Sequence, residues 1–66
     1  MMFYIAYNEE ADSFYVTVDG TKSVLMGGEE LYFQHEYEAQ DFCDDLNATP
    51  QRVELDERFD RYAITT

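Results

Sequence analysis

The 66-residue sequence has no tryptophan, one histidine, one proline, one cysteine and four basic side chains. Each scarcity excludes something. Cys43 alone cannot close an internal disulfide. Cys43 and His35 together fall short of the four ligands that a structural zinc site usually takes. A single thiol fits a reducing compartment and says little more. No apolar run approaches the roughly 18 residues that would span a bilayer. No basic segment followed by an apolar one opens the chain, so a secretory leader is not expected. The length leaves room for one domain, residues 1–66, and hardly for an enclosed catalytic pocket.

Against these scarcities stand fifteen acidic residues, giving a formal net charge of −11 and a sequence pI of about 4.1. There are also six Tyr and five Phe, far too many aromatics for a chain that never buries anything. A domain this short buries only about 60% of the surface its unfolded chain exposes. Reinforcement has to come from the aromatic core or from a partner chain, and a homodimer is a fair expectation. The uncompensated charge repels itself and costs stability. It serves either solubility or a surface built to meet a strongly basic partner. Direct binding to nucleic acid is disfavoured, because phosphates would be repelled. Anionic membranes are disfavoured for the same reason.

Along the chain, Met2 to Tyr7 is aromatic and β-prone, with Phe3, Ile5 and Tyr7 on one face. Asn8 to Asp12 reads as a turn. Ser13 to Val18 alternates cleanly, placing Phe14, Val16 and Val18 inward and Ser13, Tyr15 and Thr17 outward. Asp19-Gly20 predicts a hairpin turn. Ser23 to Met26 predicts a third strand, broken by Gly27-Gly28, and Leu31 to Phe33 a fourth. The period then changes. Between His35 and Asn47 the apolar residues are Ala39, Phe42, Cys43 and Leu46, the i, i+3, i+4, i+7 stripe of an amphipathic helix. Glu36 and Glu38 fall in its first turn, where the helix dipole favours negative charge. Asn47 reads as its C-terminal stop, with Pro50 beyond. The tail predicts one or two strands, bent near Asp56-Glu57, with Arg52, Arg58 and Arg61 interleaved among acids. The expectation is an α+β fold, β-β-β-β-α-β: a small antiparallel sheet of four to six strands with one helix on one face.

The helix carries the sharpest pattern. Opposite its apolar stripe lie Glu38, Asp41, Asp44 and Asp45, with Tyr37 among them and no Lys or Arg. Neighbouring acids three or four positions apart are about 4.5–6 Å apart along the axis, the same order as the ~3.4 Å phosphate rise of each DNA strand. Asp41 and Asp45 form a like-charged i, i+4 pair that weakens an isolated helix. Such a face is either merely solvated or used for binding. Glu29 and Glu30 extend the acidic set if they share that side, as do Glu9, Glu10 and Asp12. No calcium-loop pattern is present, and neither a metal nor a cofactor is expected. Cys43 on the apolar stripe reads as a small core residue, and His35 as a helix-start residue. Tyr4, Ala6, Tyr15, Thr17 and Tyr32 fall on the sheet face away from the helix. That face is either ordinary half-burial or a protein–protein interface.

The short acidic chain, the β-rich core and the helix with Glu38, Asp41, Asp44 and Asp45 on its outer face look like small phage-encoded inhibitors of the anti-CRISPR or DNA-mimic type. The likeness is one of general character over the whole chain. It implies a non-enzymatic, stoichiometric inhibitor in a host bacterial cytoplasm. Its partner would be a basic nucleic-acid-binding protein or complex, whose groove it fills through those acids, Tyr37, Glu29 and Glu30. Arg52, Arg58 and Arg61 would then have to face away or pair internally. The competing expectation is a structural or adaptor module that dimerises through the Tyr-bearing sheet face, its charge serving solubility.

Overall fold

Alternating aromatic and β-branched side chains bring β1 (Phe3–Asn8) and β2 (Ser13–Thr17) together as an antiparallel pair, Tyr4 opposite Thr17 through Asn8 opposite Ser13. This register comes from a computed structural model, which describes residues 1–65. The intervening turn is fixed by Asn8, whose Oδ1 accepts the Glu10 and Ala11 N–H groups at 3.0 and 3.3 Å. Such local side-chain capping is what Asn offers a turn. Asp12 completes it with a positive φ of 50°.

The Asp19-Gly20 step is not the expected hairpin. Asp19 Oδ1 accepts the backbone N–H of Thr21 at 3.0 Å and its hydroxyl at 2.6 Å, winding Gly20–Lys22 into one 3-10 turn. That turn lies against β1: a Cβ at Gly20 would stand 3.0 Å from Tyr4 Cζ. The chain is then tied to β1 through the Val24 N–H and the Ile5 carbonyl at 2.8 Å. It joins a second sheet as β3 (Leu25–Met26) without pairing with β2. The true tight hairpin is Gly27-Gly28, with φ values of 63° and 83°, linking β3 to β4 (Glu29–Glu30) with Met26 opposite Glu29. Two positive φ values in a two-residue loop suit the strand twist, and glycine adopts them without steric cost.

β5 (Tyr32–Phe33) returns to the free side of β1, giving a first sheet in the order β2-β1-β5. Helix α1 (Glu36–Ala48) follows and packs on all three of its strands. β6 (Arg52–Asp56) and β7 (Arg61–Thr65) form an antiparallel hairpin closed over Glu57–Asp60. They complete a second sheet ordered β4-β3-β7-β6, in which β3 and β7 run parallel. The architecture is α+β with one helix, as the periodicity predicts, with seven short strands divided between two sheets.

The core lies between helix and sheets: Ile5, Phe14, Val24, Cys43, Leu46 and Ile64 are buried together. Phe42 meets Phe33 at 5.5 Å between ring centroids, and Tyr7 meets both Phe14 and Tyr62. Two inward or outward assignments change. Val18, expected inside, is 58% exposed just beyond the end of β2. Ala6, expected on the open face, is buried.

Candidate interaction surface

Helix α1 forms where the sequence places it, because Ala39, Cys43 and Leu46 bury on one stripe. Burying that stripe fixes the opposite side. On it Glu38, Asp41, Asp44 and Asp45 all face solvent, and Tyr37 stands among them two-thirds exposed. His35 occupies the N-cap position without a side-chain capping bond and stacks on Tyr37, with ring centroids 5.4 Å apart. Gln40 Nε2 donates to Asp44 Oδ1 at 2.9 Å. Among the described residues, no cation pairs with any carboxylate of this helix.

Three of the four basic residues are spent elsewhere, and the fourth, Lys22, lies in the 3-10 turn. Arg52 pairs with Glu54 at 3.2 Å, Arg58 with Asp56 at 3.2 Å, and Arg61 with Glu30. The Arg58 hydrogen bonds hold the Asp56 carboxyl below the usual carboxylate range. Arg61 also donates to Ser23 Oγ at 2.6 Å, and Ser23, fully buried, donates in turn to Glu30 at 3.2 Å. This cluster ties β4 and β7 to the segment leading into β3.

Glu38, Asp41, Asp44, Asp45 and Tyr37 are therefore brought together on one helix face, while Glu36, in the first turn, lies on the side of Ala39 and Cys43. Glu29 and Glu30 stand elsewhere, on the outer strand of the other sheet. Glu30 is already engaged by Arg61, so it adds no free charge there. In the first turn, Tyr62 donates to Glu9 at 2.6 Å and Tyr7 to Asp12 at 2.5 Å. Each bond places a carboxylate beside a phenol and so disfavours its ionised form. The Tyr7 pKa is pushed up to about 12, chiefly by the Asp12 hydrogen bond, and Tyr62 is raised by Glu9.

Register confirms that Tyr4, Tyr32 and Thr17 share one sheet face, as do Ala6 and Tyr15. That face is not open across its middle. The 3-10 turn covers Tyr4, leaving Tyr15 at 39% and Tyr32 at 60% exposure. Cys43 is buried, and burial pushes its thiol pKa up.

The sequence reading missed a role for Asn47. It does not stop the helix, which runs on to Ala48 with Thr49 as C-cap. Its carboxamide instead accepts the Phe14 N–H at 2.8 Å and donates to the Phe14 carbonyl at 3.0 Å. Nothing in helical periodicity signals such a partner, which lies across the fold. No protein-family model matches the chain, and no curated protein or solved structure matches it significantly. No helix among the described residues is long and apolar enough to cross a membrane.

Proposed function

We propose that the chain is a non-enzymatic inhibitor that imitates nucleic-acid charge and occupies the nucleic-acid-binding groove of a basic protein complex. A bacterial defence complex of the CRISPR type is the target class that the resemblance suggests. The observation that carries this reading is the segregation of charge. Four acids, Glu38, Asp41, Asp44 and Asp45, line the outer side of α1 with no cation paired to them, while Arg52, Arg58 and Arg61 are neutralised on strands and turns. A surface meant only for solubility gains nothing from such segregation, and interspersed signs would support the helix better. In the proposed complex, the carboxylates take the Lys and Arg side chains that hold phosphates, and Tyr37 supplies apolar anchoring. Complementary charge speeds encounter and makes it salt-sensitive.

The test replaces Glu38, Asp41, Asp44 and Asp45 by Lys and compares capture of basic nucleic-acid-binding complexes from a bacterial lysate, with salt elution. The unaltered chain should retain one complex, release it with salt, and lose it to competing DNA or RNA. The four-Lys variant should keep the circular dichroism of the fold and retain nothing. Undiminished capture by that variant, or capture indifferent to nucleic-acid competitor, would refute the proposal.

A further inference from the structure

An unpaired strand edge offers a row of backbone N–H and C=O groups to other chains, and this fold treats its edges unequally. β4 and β5 are two residues each. The edge of β2 is guarded, because the Asn47 carboxamide occupies both the N–H and the carbonyl of Phe14. β6 is different. It is five residues long, and β7 is its only strand partner among the described residues. Its register with β7 is continuous, without a bulge. It contains no proline or lysine. Its charged residues, Arg52, Glu54 and Asp56, are of both signs, so they guard the edge against most strands but can complement a second copy in the right register.

We propose that β6 pairs antiparallel with β6 of a second copy of this chain, with the two Val53 residues facing each other across the two-fold axis. Three registers that keep both core faces on one side illustrate why. Centring on Arg52 or on Glu54 opposes like charges at the axis, and centring on Leu55 sets Glu54 against Asp56. Centring on Val53 sets each Arg52 against Glu54 of the other copy, so opposite charges meet twice. Within one chain Arg52 and Glu54 already lie 3.2 Å apart, with both side chains largely exposed. An exposed pair of that kind holds its geometry weakly, so it is free to exchange for the intermolecular one. Leu55 shares the core-facing side of β6 with Val53 yet is 53% exposed. The same register brings Gln51 of the second copy opposite it. The two four-stranded sheets then become one of eight strands, closed at its centre.

Charge sets the conditions. Each copy carries −11 and extends at most 28 Å. At about 0.01 M salt the Debye length is roughly 30 Å, so whole molecules repel. At about 0.15 M it falls to about 8 Å, which screens the bodies while leaving contact pairs effective. Self-association therefore strengthens with salt, opposite to the binding of a basic partner. It also stands or falls independently of the helix surface.

Sedimentation equilibrium at high chain concentration tests this. The mass should be 7.8 kDa at the lower salt and move toward twice that value at the higher. Glu54→Arg should return the protein to monomer at both salts, and so should Arg52→Glu, which serves if the first variant does not fold. Combining the two substitutions restores complementarity and should restore the dimer. A monomer at the higher salt at every concentration would overturn the proposal. So would a dimer that survives either single substitution, or a double variant that stays monomeric.

Discussion

Tyr7 shows how much one side chain's setting depends on a turn several residues away. Its ring packs against Phe14 and Tyr62, with centroids 5.2 and 5.1 Å away, and its hydroxyl reaches out to Asp12. Ionisation would place a phenolate beside a carboxylate, so the pKa rises to about 12. The proton is therefore bound more tightly in the folded state than in the unfolded one, where tyrosine titrates near 10. The stability it contributes is complete below about pH 10 and is lost as pH rises from there through about 12. Following phenolate absorbance against pH should show two tyrosines, Tyr7 and Tyr62, titrating above the ordinary ones, and Tyr7→Phe should remove one of these steps. Asp12→Asn should bring the Tyr7 midpoint back toward 10. Ionisation of every tyrosine near the ordinary value would exclude the bond. Alternation places Tyr7 on the inner face, and the structure keeps it there. Its partner was illegible, because it depends on the left-handed conformation of Asp12, which no hydrophobic pattern encodes.

At the scale of elements, the segment joining β2 to β3 is decided by contacts far along the chain. Asp-Gly is a strong hairpin signal, but an aspartate can equally cap a turn with its own side chain, and here it does. Pairing of β3 with β7, which arrives only at the end of the chain, is what separates β3 from β2. The elements legible beforehand are those whose pattern is local and repeated. They are the alternation in β1 and β2, and the stripe of Ala39, Phe42, Cys43 and Leu46, which fixed both the helix and its acidic side. Gly20 is kept small by the Tyr4 ring beneath it. Gly20→Ala should destabilise the protein by about 1 kcal/mol through overpacking. In a Tyr4→Ala background the ring is gone. The same substitution should then stabilise by about 0.5 kcal/mol, because alanine restricts the unfolded chain and φ at this position is not positive. Urea unfolding of the four proteins measures both values. Equal effects of Gly20→Ala in the two backgrounds would mean that the turn does not rest on the ring.

Over the whole molecule, an excess of eleven negative charges is confined to a body of 28 × 24 × 22 Å. Every carboxylate thus lies within a low-salt Debye length of nearly all the others. Unfolding spreads these charges apart, so self-repulsion works against the folded state, and the helix carries a concentrated share of it. Raising salt from about 0.01 to about 0.15 M should therefore raise Tm by roughly 5 °C, which for a chain this short corresponds to about 1 kcal/mol. The measurement belongs at low chain concentration, where self-association through β6 makes no contribution. Replacing Asp41, Asp44 and Asp45 by Asn removes an unrelieved i, i+4 repulsion and charges at the unfavourable end of the helix dipole. That variant should melt higher at low salt and respond less to added salt. A Tm that is flat or falling with salt would show that the compact state does not feel its own charge. The helix acids would then carry no cost for which partner binding need compensate. If Tm does rise, one variable moves two properties in opposite directions. Salt that steadies the folded chain would release it from the basic partner proposed above, and the acids that weaken α1 are the ones on which that proposal rests.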